Sequence, residues 1–455
     1  MNRLDVSKIL FYAISFTGLL GLSFAFGLYS AAKKTLVYET VRAIKHSVEE
    51  SLNLVSEEAT TLTKTHPKYF LEPARYDGSG VTVNDFANNE EELILLSGFF
   101  NDDNELRLIR RNGTVIARWP ARFTDIFPKT SHLMRPPETD WNVDIHGALA
   151  LSDGSVVFNF DNCGLVKLDR CGNILWTLAR ESHHSVEKAE GGGFWVPGNR
   201  NHSKERDSPF PPFQTPLKEH TIMKVSEDGK VLMEISVPKL FYDNGLESLL
   251  TSTGELFRAW HSHGEIVHLN KIAELSSDIA NDFPIFNTGD LALSLREYNL
   301  ILVVDPDTKK IKWWRIGPWL RQHDPEFIPG GKLIVFNNNI YRTAFGENRS
   351  DVSSLSVPRV SNIMEIDPVS DEYRVIYGGV SGQEMLSIIR GKHELTVNGG
   401  LLVTESEGGR VFETDATGRI IWEYINRYDS DEVAEINEAR IYPADYFRVS
   451  DWSCE

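Results

Sequence analysis

The chain has 455 residues, with 47 Lys and Arg against 65 Asp and Glu, a net charge of −18. No compact basic cluster interrupts that balance, which excludes nucleic acid as an expected partner, because phosphate binding needs a basic surface. An apolar fraction of 41% with 25% charged residues excludes general disorder and points to packed domains.

Ile9 to Ala32 carries no charge and is rich in Leu, Phe, Ile, Gly and Ala. About 20 such residues cross a bilayer as a helix. The run exceeds the apolar core of a cleavable signal, about 7–15 residues, and leads directly into Lys33-Lys34. Residues 1–34 are therefore read as an uncleaved membrane anchor. Arg3 and Lys8 precede the run and Lys33, Lys34, Arg42 and Lys45 follow it, so charge counting alone leaves the domain cytoplasmic. By analogy with export anchors on large β domains, the expected location is instead the inner (plasma) membrane, single-pass, with the domain on the periplasmic side.

Residues 35–66 place Val37, Val41, Ile44, Val48, Leu52, Val55, Ala59 and Leu62 at steps of three and four, the pattern of a helical stalk. A coiled coil joining copies into a homo-oligomer and a single amphipathic helix fit this pattern equally. Pro67, Pro73, Gly78 and Gly80 then break the periodicity and mark residues 67–89 as a linker.

An internal repeat follows: an alternating strand, a polar turn, then a second strand that often carries Trp. The copies are Leu106–Trp119, Leu165–Leu178, Ile222–Ile235, Leu300–Trp314, Ile363–Tyr377 and Val411–Tyr424. Each reads as a β-hairpin by its turn chemistry. Spacings of 59, 57, 79, 62 and 48 residues between the turns suit one four-stranded propeller blade per copy. The expected fold is all-β, a six-bladed β-propeller over residues 90–425, because ring closure removes exposed sheet edges. Residues 426–455 are expected to close or cap the ring.

Of the three cysteines, Cys163 and Cys171 flank one expected strand and would stand some 20 Å apart at about 3.3 Å per residue. A disulfide needs Cα atoms within ~7 Å, so these two are read as free. No disulfide framework is expected, and three scattered thiols offer no zinc spacing.

Histidines recur ahead of inner-strand patterns. His146, His184, His323 and His393 each precede a Gly-containing turn at nearly constant distance, and His268 joins them with an insertion. Innermost strands line a propeller's channel, so these five of the 13 histidines are expected to face one small volume. A repeated structural hydrogen bond would give the same pattern. Two chemistries suit such a ring: a transition metal, since Asp324 and Glu394 directly follow two of the histidines, or nucleophilic catalysis with a neighbouring imidazole as proton shuttle and a cation on the anionic oxygens. Arg296, expected on the inner strand after His268, suits the cationic role; pairing with Glu297 is the structural alternative.

The run His268-Leu269-Asn270-Lys271-Ile272, then Asp290-Leu291-Ala292-Leu293-Ser294-Leu295-Arg296, then Gln322-His323-Asp324, then Leu333-Ile334-Val335-Phe336-Asn337-Asn338 resembles the bacterial aryl-sulfate sulfotransferases, the PAPS-independent arylsulfotransferase family. His183-His184-Ser185-Val186-Glu187 and Val403-Thr404-Glu405-Ser406 with Gly409-Arg410-Val411-Phe412-Glu413 are similar to it as well, so the resemblance covers most of residues 90–425. It implies a six-bladed propeller that moves a sulfuryl group from an aryl sulfate donor to a phenolic acceptor through a sulfated histidine. On that resemblance His323 is the nucleophile, His268 and His184 are acid/base or anion-binding partners, and Asn270 and Arg296 contact the sulfate oxygens. His146, His393 and Thr404 are expected to line the substrate site. No cofactor and no metal is expected, and the lack of a Gly-rich phosphate loop agrees with a nucleotide-independent donor. Trp195, Trp260, Tyr298 and Trp319 are candidates for an aryl pocket or for blade cores, and the Pro-rich insert Asn201–Pro216 for a lid or a surface loop. The alternatives kept beside the transferase are a non-catalytic, membrane-anchored propeller that binds a carbohydrate or protein, and a metal-dependent hydrolase or lyase.

Overall fold

Five of the six hairpins form the outer half of a four-stranded antiparallel sheet, and the sixth, Val411–Tyr424, lies in a five-stranded one. The computed structural model describes residues 6–33, 67–86, 92–202, 208–251, 264–340 and 360–454. The expected stalk, its oligomer contact and Trp260 lie outside the described residues. Two units result, Met1–Lys68 and Tyr69–Glu455.

In the first unit a helix spans Val6–Lys33. Its segment Leu10–Ser30 is long and apolar enough to cross a membrane, and large apolar side chains such as Phe11, Leu22 and Phe24 are exposed along it.

The second unit is a six-bladed β-propeller. Blade 2 comprises Ile145–Ala150, Val156–Phe160, Gly164–Leu168 and Ile174–Leu178; blade 3, Glu187–Lys188, Phe194–His202, Leu217–Val225 and Val231–Ser236. Blade 4 comprises Leu269–Glu274, Leu291–Leu295, Leu300–Asp305 and Lys310–Ile316; blade 5, His323–Ile328, Lys332–Asn337, Asn362–Ile366 and Tyr373–Tyr377. Blade 6 runs through Lys392–Leu395, Leu401–Glu405, Arg410–Thr414 and Ile420–Ile425. Blade 1 takes Glu92–Phe100, Asp103–Arg110 and Val115–Pro120, and receives its innermost strand, Ile436–Pro443, from the C-terminal region. The last strand thus pairs with the first, and the ring closes by hydrogen bonds. The stretch read as a linker also contributes strands: Gly80–Asn84 extends the outer edge of blade 6, and Leu71–Pro73 pairs with Glu432–Ala434.

The recurrent Trp of the hairpin repeat has a physical role. Its indole nitrogen donates to a backbone carbonyl in the turn of the next blade, Trp119 to Asp169, Trp176 to Glu227 and Trp422 to Arg111. Each such Trp covers apolar surface between blades while its polar N–H is satisfied. Gly229 is required where Trp176 lies over its turn, because a Cβ there would come within 2.7 Å of the ring, and its φ is +76°.

The cysteine expectation is corrected in one respect. Cys163 is free and buried, but Cys171 forms a disulfide with Cys454, 283 residues away. Strand geometry excluded only the Cys163–Cys171 pair. Beyond its closing strand the C-terminal segment folds back on blades 1 and 2, with Trp452 edge-on to Trp119 and Phe447, and this brings Cys454 to the blade 2 turn.

Candidate active site

The inner strands converge, and four of the five expected histidines meet. The His184 ring lies 4.0 Å from His146, 4.9 Å from His268 and 6.3 Å from His323, centroid to centroid. Two further imidazoles complete the cluster: His183, 5.0 Å from His184, and His220, 5.0 Å from His183 and 6.2 Å from His268. His184 and His268 both adopt φ of +53°, just ahead of the inner strands of blades 3 and 4. Non-glycine residues take this left-handed conformation where the surroundings hold it in place, often at functional sites. Around His184 the support is visible. Asn159 donates to its carbonyl, and Gly147 allows the close backbone approach, since a Cβ there would stand 2.0 Å from that oxygen.

Hydrogen bonds assign the proton positions. Asn338 donates its amide to the carbonyls of Ser387 (2.8 Å) and Arg390 (2.5 Å), which turns its oxygen toward His323 Nδ1 at 2.7 Å. An amide oxygen only accepts, so Nδ1 carries the proton and Nε2 holds a lone pair. That Nε2 is buried and has no hydrogen-bond partner among the described residues. Burial, then the Arg296 guanidinium, hold the His323 imidazole well below its usual pKa, so the ring is neutral near pH 7. By the same logic Asn199 accepts from His183 Nε2 (3.1 Å), His183 Nδ1 accepts from His184 Nδ1 (2.8 Å), and His184 Nε2 is left with a lone pair. Burial, reinforced by neighbouring groups, holds both of these rings well below the usual histidine range.

His268 differs, because its Nδ1 lies 3.0 Å from a Glu265 oxygen and 3.1 Å from an Arg296 nitrogen. Protonated at Nδ1 it donates to Glu265; protonated at Nε2 it accepts from Arg296. Its own Nε2 is buried without a partner. Burial and then Arg296 push its pKa down to about 4. Glu265 also accepts from His220 Nε2 at 3.1 Å. Burial would raise this carboxyl, yet His268 and His220 hold it well below the usual range.

Arg296 stands one strand further out than expected. It opens a single 3-10 turn, Arg296–Tyr298, at the end of the second strand of blade 4, whereas the inner strand is Leu269–Glu274. Its guanidinium contacts both His268 and Glu297, each at 3.1 Å, so the expected pairing with Glu297 is present and the same side chain also reaches an imidazole of the cluster. Arg296 Nε is buried without a partner. Asn270 donates to the Gln322 carbonyl at 2.9 Å, as does Ser294 Oγ at 3.2 Å; these bonds fix the backbone ahead of His323. The Asn270 amide oxygen is buried and unpartnered. Among the described residues, His323 Nε2, His268 Nε2, Arg296 Nε and Asn270 Oδ1 are thus buried without a hydrogen-bond partner, which a bound ligand would supply.

Two expected residues are not part of this cluster. His393 is drawn to Asp324, which accepts its backbone N–H at 2.9 Å and lies 3.5 Å from its Nδ1. Thr404 lies on the second strand of blade 6, opposite Lys392. Asp324 belongs to a buried ionic ring. Lys271 Nζ lies 2.7 Å from Glu187, 2.8 Å from Asp324 and 3.2 Å from Glu326, while Arg440 pairs with Glu187 and Glu438, and Lys392 with Glu438. Arg440 also donates to the Ala148 carbonyl, so all six inner strands are joined. Burial would lower Lys271, but Asp324, Glu187 and Glu326 hold it well above its usual value. Burial dominates at two acids instead, raising Glu326 to about 8 and Glu394 to about 7.

Trp195 and Trp319 are fully buried, Trp195 in the core that joins blades 3 and 4, Trp319 in the next. Tyr298 is buried in the same core as Trp195 and donates to the Leu250 carbonyl. Three functional candidates escaped sequence reasoning: Asn338, Glu265 and Asp161. Asn338 sat within the family-like run, and its position just past the second strand of blade 5 was the available signal. Asp161 lies 3.1 Å from His146 Nδ1; burial would raise its carboxyl, but His146 holds it below the usual range. Among the described residues His146, Asp161 and His184 place ligand atoms within 4.8 Å of one another and are the group that could hold a metal ion.

The sequence profile described as Arylsulfotransferase (ASST) matches residues 147–427. Among curated proteins none matched the chain. Solved structures align with the chain at low identity. A protein of unknown function from Bacteroides caccae is 12% identical, with a TM-score of 0.45, covering 78% of this chain and 98% of its own. Virginiamycin B lyase from Staphylococcus aureus is 11% identical, with a TM-score of 0.39, covering 82% and 98%. The family match spans well over half of the chain, from the residue after His146 to the end of the sixth blade, and encloses His184, His268, Arg296, His323 and Asn338. The chain belongs to the arylsulfotransferase (ASST) family.

Proposed function

We propose that this protein moves a sulfuryl group from an aryl sulfate ester to a phenolic acceptor, with His323 as the nucleophile. The observation that carries this reading is the buried, unpartnered His323 Nε2, whose lone pair is assigned by the Asn338 hydrogen bond to Nδ1. In the first half-reaction Nε2 attacks sulfur, the S–O bond to the aryl group breaks, and a phenolate departs. Nδ1 keeps its proton, and Asn338 stabilises the charge that the ring gains. Sulfuryl transfer, like phosphoryl transfer, asks mainly for positioning and for stabilisation of peripheral oxygens. Arg296 supplies the cation. In its Nε2-protonated form His268 hydrogen-bonds the departing oxygen. In its Nδ1-protonated form, anchored on Glu265, it takes the acceptor's phenolic proton at Nε2 as the acceptor oxygen attacks sulfur and the N–S bond breaks. The proton then passes to the released phenolate, and the cycle balances.

The propeller is proposed to work on the extracytoplasmic side of the plasma membrane, tethered by the apolar helix. The Cys171–Cys454 disulfide supports this, because such bonds persist in oxidising compartments. A second reading, a metal-dependent hydrolase or lyase, draws on the His146, Asp161 and His184 group. The test is to incubate the detergent-solubilised protein with 4-nitrophenyl sulfate, with and without phenol, and to follow nitrophenol release and protein mass together. Acceptor-dependent release with a mass gain of one sulfuryl group, lost in His323→Ala, is the expected result. No release and no mass gain, with stoichiometric metal in the purified protein, would favour the second reading.

A further inference from the structure

A pocket of about 470 Å³ lies beside the imidazole cluster and is not used by the transfer chemistry above. Its apolar walls are Pro212, Phe213, Pro216, Leu217 and Ile266, and Gln214, Thr215, Thr251 and Glu265 supply its polar side chains, Glu265 the charged one. The volume falls within the ~300–1,000 Å³ range of small-molecule sites. Glu265 joins the pocket to the site, since the same carboxylate contacts His268 Nδ1 at 3.0 Å and His220 Nε2 at 3.1 Å. One wall comes from the Pro-rich insert, and that wall is anchored. Phe210 is buried in the core with Trp195 and Leu240, its ring 5.9 Å from Tyr242, and Tyr242 donates to the Pro211 carbonyl. On the far side the Lys218 N–H donates to the Gly264 carbonyl at 2.9 Å, and a bridge pairs Lys218 with Glu265. Gly264 is needed there, as a Cβ would lie 1.9 Å from the Pro216 carbonyl oxygen.

We propose that this pocket seats the aromatic ring of the phenolic substrates, so that the insert residues 212–216 decide which phenols are accepted; the proposal rests on the transferase reading. Flat apolar walls of proline, phenylalanine and branched aliphatic side chains match an aromatic ring, which gains from burial and ring contact. The ionised Glu265 edge rejects a second anionic group on that ring and turns the sulfate end away, toward Arg296 and the imidazoles. The preferred substrate class is therefore an uncharged mono- or bicyclic phenol and its sulfate ester, rather than a ring that also bears a carboxylate.

The test measures binding apart from turnover. 2-Naphthol and 6-hydroxy-2-naphthoate are titrated by fluorescence into the full-length, detergent-solubilised protein, its Phe213→Ala variant and its Gln214→Trp variant. Gln214 lines the pocket and is exposed, so a bulky residue there fills the space without disturbing the core. The expected result is that 2-naphthol binds about tenfold more weakly to both variants, that the naphthoate binds more weakly than 2-naphthol to the parent protein, and that KM for 2-naphthyl sulfate rises more than kcat falls. Equal 2-naphthol affinity in all three proteins, or none in the parent, overturns the pocket even if sulfate transfer is robust. Weakened 2-naphthol binding in the variants with no transfer in any protein supports the pocket and rejects the transferase reading instead.

Discussion

Removing the Asn338 side chain isolates the step on which the proposed chemistry depends. In Asn338→Ala, His323 Nδ1 loses its acceptor at 2.7 Å, and nothing then favours the tautomer that leaves the Nε2 lone pair facing the channel. A neutral hydrogen bond is worth ~1 kcal/mol net, about a fivefold change in tautomer bias. The imidazole also loses its positional restraint, and a displacement of about 1 Å can cost ~100-fold. The single-turnover rate of His323 sulfation by 4-nitrophenyl sulfate should therefore fall by between about fivefold and a few hundredfold. Folding stability should fall by ~1–3 kcal/mol, because the buried Arg390 carbonyl loses its donor, whereas the Ser387 carbonyl still accepts from Ser361 Oγ. The assay is quenched-flow mass spectrometry of the sulfated protein, with a thermal melt to confirm folding. Nitrogen NMR of ring-labelled histidine supplies a readout that a merely structural role would not move: Nδ1 should be N–H type in the parent protein and mixed in the variant. A folded Asn338→Ala protein that is sulfated within twofold of the parent rate, or a parent His323 with its proton on Nε2, would refute the reasoning.

Burial, and after it Arg296, lowers the His323 pKa, so the acid limb of kcat/KM should lie well below pH 6.5 in the parent protein, since nucleophilic imidazole is lost as pH falls through the folded pKa. Arg296→Gln should lower kcat and move that limb upward; a limb that stays in place in the variant rejects the electrostatic link. Glu326 has a folded pKa raised to about 8 by burial, so the native state holds a proton that the unfolded state releases. Its contribution is present below about pH 4.5 and lost as pH rises through 8. Glu326→Gln should flatten the fall in melting temperature across that window and leave the protein more stable than the parent at pH 9; identical pH profiles would contradict the buried neutral acid. Cys454→Ser opens a loop spanning 283 residues and should cost up to about 5 kcal/mol on the chain-entropy estimate. A lowered denaturation midpoint with transfer retained is expected, and an unchanged midpoint would show that the C-terminal segment is held by packing alone.

The order of elements was legible because it rests on short-range patterns. Period-two alternation and Gly- or Asp-containing turns identify each outer hairpin within about 15 residues, and the recurrence of that unit six times implies a ring. Four of the five histidines at the inner strands were legible for the same reason: equivalent positions on successive blades converge. Limits appear where a residue's role depends on partners from other blades. His393 obeys the same sequence register as His323, yet it turns to Asp324, which already belongs to the Lys271 network of blades 3 to 5.

An uncharged apolar run, local periodicity and turn chemistry, read along the chain, thus determined an apolar helix ahead of a six-bladed β-propeller and a histidine register of which four members meet. Tertiary structure alone decided which atoms of those side chains are available for chemistry. The Asn338 oxygen fixes the His323 tautomer only because Ser387 and Arg390, about 50 residues further on, hold its amide. Glu265 reaches two histidines from different blades, and Cys454 meets Cys171 only after the closing strand has completed the ring. A strand needs only its near neighbours in sequence, whereas a proton's position and a bond between distant side chains are set by groups that folding brings together.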